Sequence, residues 1–119
     1  VYLDLLIARG GLDGEVAEDL CAVTTRFTSK IVLVFDGRRV SAQCLPLCWE
    51  SLAVTDGTEV PIEVYGGYRG RDSTGTVAGD LEDRRALVEF SEAFGRLTAT
   101  VPAPARHRRR WFTARSRSA

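Results

Sequence analysis

Ile31-Val32-Leu33-Val34-Phe35-Asp36-Gly37-Arg38-Arg39-Val40-Ser41 reads as two strands joined by a tight turn. Residues 31–35 are β-branched or large apolar side chains, the composition of a strand. Asp36-Gly37 supplies two residues that tolerate positive φ, which a two-residue hairpin turn requires. The chain then returns through residues 38–41. This hairpin sets the sheet as antiparallel, and the flanking segments are read outward from it.

Upstream, Tyr2 to Ile7 is apolar and extended in character, and Arg9-Gly10-Gly11 interrupts it. Val16, Leu20, Val23 and Phe27 then fall at helical spacing, with Asp13 placed as the N-cap. Downstream, residues 45–52 suit a short helix, because Pro46 sits in its first turn where a missing N–H does little harm. Asp56-Gly57 turns the chain into residues 59–65, where Ile62 and Val64 alternate with charged neighbours. Pro61 must lie at an edge, at a bulge or at a non-bonding position of that strand. The glycine-rich stretch 66–79 reads as a loop, mobile or extended into a hairpin through Tyr65, Tyr68 and Val77. Asp80 is then expected to cap a helix to about Leu97, with Leu87, Phe90, Phe94 and Leu97 on its apolar face. The order β-α-β-β-α-β-α predicts an α+β fold, an open-faced β-sandwich in which three helices cover one face of a four-stranded antiparallel sheet.

The 119 residues suit one domain, and 45% of them are hydrophobic, enough to form a core. The 16 acidic and 16 basic residues cancel, yet every acid lies between Asp4 and Glu92 and six arginines lie between Arg106 and Arg117. The body is therefore acidic and the tail basic. Prolines 102 and 104 and the arginine cluster predict a disordered tail over 98–119. No apolar run is long enough to span a bilayer, and no secretory signal pattern opens the chain. Cys21, Cys44 and Cys48 are odd in number and cannot close a disulfide framework, so a reducing, cytoplasmic location is expected. Cys44 and Cys48 stand one helical turn apart, but a metal site needs more ligands, and neither a metal nor another cofactor is expected. His107, the single histidine, lies in the tail among Arg106, Arg108, Arg109 and Arg110, followed by Trp111 and Phe112. Such a segment is either a solvated tail or one that grips phosphates and stacks on bases.

Specific residues carry a resemblance. Gly11-Leu12-Asp13-Gly14-Glu15-Val16-Ala17 is similar to Gly-Leu-His-Ala-Arg-Pro-Ala of the histidine-containing phosphocarrier (HPr) family of the sugar phosphotransferase system. Thr25-Arg26-Phe27-Thr28-Ser29-Lys30-Ile31 resembles that family's Ser-Lys-Phe-x-Ser-x-Ile. Asp36-Gly37-Arg38 and Gln43-Cys44-Leu45 resemble its Asp-Gly-Lys and Lys-Ser-Ile, with no gap from Gly11 to Leu45. Ser51-Leu52 and Asp56-Gly57-Thr58-Glu59-Val60 continue the likeness after a one-residue insertion. It implies an HPr-like domain over 1–97, with an insertion at about 66–79 and a basic tail over 98–119.

The departures decide what the resemblance implies about function. Asp13 stands where the family has its phosphoacceptor histidine, and Glu15 stands where it has the phosphate-steadying arginine. Two carboxylates repel a phosphoryl dianion, and their natural role is to satisfy the helix N-terminus themselves. The regulatory serine of many members is matched by Cys44, which a serine kinase does not phosphorylate. The resemblance thus implies a non-catalytic protein-binding or regulatory module rather than an enzyme. Its partners would be phosphotransferase-system components or regulators, with Leu45, Leu47 and Trp49 as candidate contacts unless they belong to the core. The alternatives are a working phosphocarrier and, through the arginine-rich tail, a nucleic-acid binder.

Overall fold

The structure is a computed structural model that describes residues 1–67 and 77–102. Its elements are β1 (Tyr2–Ile7), α1 (Gly14–Thr24), β2 (Lys30–Phe35), β3 (Arg38–Ser41), α2 (Leu45–Cys48), β4 (Glu59–Tyr65) and α3 (Val77–Thr98). The four strands form one antiparallel sheet in the order β1-β4-β2-β3. The open-faced α+β sandwich read from the sequence is the architecture found. The hairpin forms as its residues dictate: Phe35 pairs with Arg38, and Asp36 and Gly37 take φ values of 53° and 82°.

Strand alternation assigns the two faces. Leu6, Ile31, Leu33, Phe35, Val60, Ile62 and Val64 point to the helices and are buried. Val16, Ala17, Leu20 and Val23 of α1 and Ala86, Phe90, Ala93 and Phe94 of α3 close over them as one core. The Phe90 and Phe94 rings stack with centroids 6.5 Å apart. The other face is left open. It carries Leu3, Leu5 and Ile7 of β1 beside Pro61 of β4, and an Arg39–Glu63 ion pair that spans β2.

Several boundaries differ from the sequence reading. α1 ends at Thr24, so Phe27 lies in the following turn, where its N–H bonds to the Thr24 carbonyl and the Arg85 guanidinium sits 5.9 Å from its ring centre. The expected helix at 45–52 is one α-turn, Leu45–Cys48, between 3-10 turns at Ala42–Cys44 and Trp49–Ser51. α3 begins at Val77 rather than after a cap at Asp80. Asp80 instead sits in its first turn and accepts the Tyr2 hydroxyl at 2.9 Å. The buried stripe of α3 is also rotated from the expected one: Leu87 and Leu97 pack only at its margin, while Ala86 and Ala93 lie inside.

Pro61 is not on an edge, since β4 lies between β1 and β2. The Ala8 N–H bonds the Thr58 carbonyl, so alternate residues of β4 bond to β1 and the intervening ones, Pro61 among them, face β2. The β4–β2 ladder stops at Leu33 opposite Ile62, one residue before Pro61. The missing N–H thus falls where no ladder bond is made.

The folded body also runs past the expected boundary at residue 97. Thr98 is fully buried, accepts the Arg9 N–H at 3.1 Å and donates to the Phe94 carbonyl at 2.7 Å. Val101 then accepts the Gly11 N–H at 3.0 Å. Most of the expected 66–79 loop, and the tail from residue 103 with His107, lie outside the described residues. Among the described residues no helix is long and apolar enough to cross a membrane.

Candidate functional site

The N-terminus of α1 is the site the sequence singles out. Its first amides have no partners within the helix, so the local sequence must supply them. Asp13 does so from an extended backbone, φ −127° and ψ −178°. Its Oδ1 accepts the Val16 N–H at 2.8 Å, and its carbonyl accepts the Ala17 N–H at 2.9 Å. Glu15 stands in the first turn, exposed, where a negative charge favours the helix dipole. Both carboxylates therefore serve the helix terminus. A phosphoryl group arriving there would meet like charge and one amide already taken.

A second feature closes the site. The Trp49 indole lies against Gly14, such that a Cβ on Gly14 would stand 3.3 Å from the indole Nε1. Glycine at the start of α1 lets the ring approach the first turn. Trp49 is held there by the short turns of 42–51, which pack against α1. Sequence reasoning treated Trp49 only as a contact candidate and missed this pairing. Glycine in the first turn of a helix was the available signal.

The remaining candidates separate by burial. Leu45 is 0% exposed and belongs to the core, so it cannot be a surface contact in this fold. It heads the one α-helical turn of the segment, which packs against α1. Leu47, two residues on, is 88% exposed. Trp49 is half-buried, packed at the margin of the core. Glu15, Glu18 and Asp19 line the outward side of α1.

Cys44 is exposed and ends the first 3-10 turn, with no side-chain bond capping α2. Its carbonyl accepts the Cys48 thiol at 3.4 Å, and the Gln43 carbonyl accepts the Cys21 thiol at 3.5 Å. The three cysteines are free thiols. Among the described residues no group of three or more His, Cys, Asp or Glu side chains is arranged to hold a metal ion.

No protein-family model matches this sequence, and no curated protein does. Solved structures do match. A phosphocarrier protein HPr from Bacillus anthracis str. Ames superimposes with a TM-score of 0.56 at 20% identity, covering 78% of this chain and 95% of that one. HPr-C-His from Thermoanaerobacter tengcongensis gives 0.52 at 22% identity, covering 78% and 93%. With its strand order, its three helices on one face and this likeness over most of both chains, the protein has the fold of the phosphocarrier HPr.

Proposed function

We propose that this chain is an HPr-like binding module that does not carry phosphate, a regulatory relative of the sugar phosphotransferase system. One observation carries the reading: the Asp13 carboxylate, at the position matched to the acceptor histidine, is spent on the Val16 amide. A phosphoacceptor needs a free nucleophile and a positive environment for the incoming charge. Asp13 is engaged, Glu15 adds negative charge, and Trp49 covers the first turn at Gly14. What remains at that end of the molecule is a surface: the exposed Leu47, the half-buried Trp49 and the acids of α1. An exposed leucine beside an aromatic, rimmed by charge, suits contact with another protein.

The test is incubation of the full chain with the first enzyme of the phosphotransferase system and phosphoenolpyruvate, followed by intact-protein mass spectrometry. No gain of a phosphoryl group is expected, while an HPr control gains one. A phosphorylated chain overturns the reading.

A further inference from the structure

We infer that Cys44 and Cys48 form a two-thiolate site for a soft monovalent metal ion, copper(I), held in linear coordination across the α2 turn. The backbone sets the pair. Cys44 immediately precedes α2 and Cys48 is its last residue, so the two thiols stand one helical turn apart on the same side of the chain. The Cys48 thiol donates to the Cys44 carbonyl at 3.4 Å, which leans its sulfur back over the turn that carries Cys44. Cys44 is exposed, while Cys48 is half-buried and packs at the margin of the core. An ion therefore enters from solvent at Cys44 and meets its second ligand against apolar backing. Both thiols are free.

The spacing selects the chemistry. Side chains one helical turn apart have Cβ atoms about 5–6 Å from each other. A disulfide holds its Cβ atoms about 3.8 Å apart, so direct oxidation requires the turn to compress. A metal–thiolate bond is about 2.3 Å long, and a linear sulfur–metal–sulfur unit thus spans about 4.6 Å. Sulfurs projecting from this pair meet that span with the backbone left as it is.

The ligand count names the ion. Zinc in a closed site takes four ligands. Among the described residues no third His, Cys, Asp or Glu side chain completes a metal-holding group with the pair. Cys21 is kept apart from it, its thiol donating to the Gln43 carbonyl at 3.5 Å. Copper(I) is soft, prefers thiolate sulfur and is satisfied by two ligands. Binding releases both thiol protons: two thiols and one copper(I) ion give a singly negative bis-thiolate and two protons, and no electron moves. Charge favours the approach of a cation. Residues 10–25 and 40–58, which pack together through α1 and the short turns, hold six acids and no lysine or arginine. The site is independent of the proposed contact surface, although Leu47 and Trp49 lie on the same stretch.

The test is anaerobic titration of the reduced full chain with copper(I) presented as its coloured bicinchoninate complex. One equivalent of copper is expected to pass to the chain, bleaching the complex, and X-ray absorption is expected to show two sulfur neighbours. Cys44→Ser and Cys48→Ser should each weaken retention by more than about 100-fold, since loss of an outer-shell group alone reaches that. Cys21→Ser should keep one equivalent and the two-sulfur shell. Circular dichroism checks that the variants are folded, and Cys44→Ser, at an exposed position, carries the test by itself if Cys48→Ser is not. Failure to withdraw copper overturns the inference, as does full retention in Cys44→Ser. So does a third sulfur that disappears in Cys21→Ser, or one copper shared between two chains in light scattering. Zinc held as tightly as copper(I) in a parallel competition also overturns it, because a two-thiolate site does not satisfy that ion.

Discussion

The Asp13 Oδ1 accepts the Val16 amide at 2.8 Å and so closes the amino end of α1. Replacing a capping aspartate by alanine costs about 1 kcal/mol. Asp13→Ala is therefore expected to lower stability by about that amount, and Asp13→Ser to restore most of it, because a serine hydroxyl reaches the same amide. Urea denaturation midpoints at constant slope measure this. An unchanged midpoint in Asp13→Ala would show that the carboxylate is not acting as a cap.

Leu45 and Leu47 are two residues apart in the same short turn and have opposite surroundings, fully buried and 88% exposed. Leu45→Ala is expected to cost about 2–5 kcal/mol, as for deletion of a buried leucine side chain. Leu47→Ser should change stability by no more than about 0.5 kcal/mol, because nothing is packed around it to lose. The same denaturation experiment separates them. A large loss in Leu47→Ser would place that residue in the core and remove it from the proposed contact surface.

That contrast shows where sequence reading stops. The hairpin at Asp36-Gly37, the alternation of Val60, Ile62 and Val64, and the stripe of α1 through Val16, Leu20 and Val23 were legible, because each rests on local chemistry or a simple period. In a helix of one turn there is no period to read, so Leu45 and Leu47 could not be told apart. The start of α3 was hidden by Gly79, which reads as a loop residue. In the fold it is buried where Gly67 approaches, and a Cβ on Gly67 would stand 2.9 Å from its carbonyl. The matches to Asp13 and Glu15 came from the ordered motif. The cover that Trp49 lays over Gly14 joins residues 35 positions apart, and no local pattern encodes it.

Ser29 and Asp83 form a buried hydrogen bond of 2.7 Å that ties the start of β2 to α3. A buried carboxylate that loses a donor keeps its desolvation penalty. Ser29→Ala is expected to cost about 1–3 kcal/mol. In the double-mutant cycle with Asp83→Asn, the two changes should couple, the pair losing less than the sum of the single variants. Additive losses would show that the two side chains contribute separately.

Thr98 and Gly10 lock the carboxyl end of the body. The Thr98 hydroxyl accepts the Arg9 amide, and a Cβ on Gly10 would run into the carbonyl oxygens of Thr98 and Val101. Backbone atoms held by the Gly11–Val101 bond cannot give way as a flexible side chain does. Gly10→Ala is expected to destabilise by about 2–3 kcal/mol, and the nearly isosteric Thr98→Val by about 1 kcal/mol. Thermal unfolding followed by circular dichroism checks both. A Gly10→Ala variant as stable as the parent would mean that residues 98–101 do not pack on Gly10.

Phosphotransfer is where charge at α1 gives its sharpest prediction. Asp13→His supplies a nucleophile, but Glu15 still repels the phosphoryl group, so little transfer from a phosphohistidine donor is expected. Glu15→Arg alone leaves no histidine to phosphorylate. The combined Asp13→His, Glu15→Arg variant places the acceptor and a guanidinium on one helix turn, whose remaining amides favour an anion. It should gain phosphate, and by more than the single changes together, because both residues act on one incoming charge. The Trp49 indole against Gly14 then sets the extent. Adding Trp49→Ala uncovers the first turn and is expected to raise the phosphorylated fraction further. Phosphoprotein formed by each variant, read by intact mass, is the measurement. If the triple variant is as inert as the parent while remaining folded, the charge reversal and the tryptophan do not account for the loss. The defect would then lie in the surface that meets the donor.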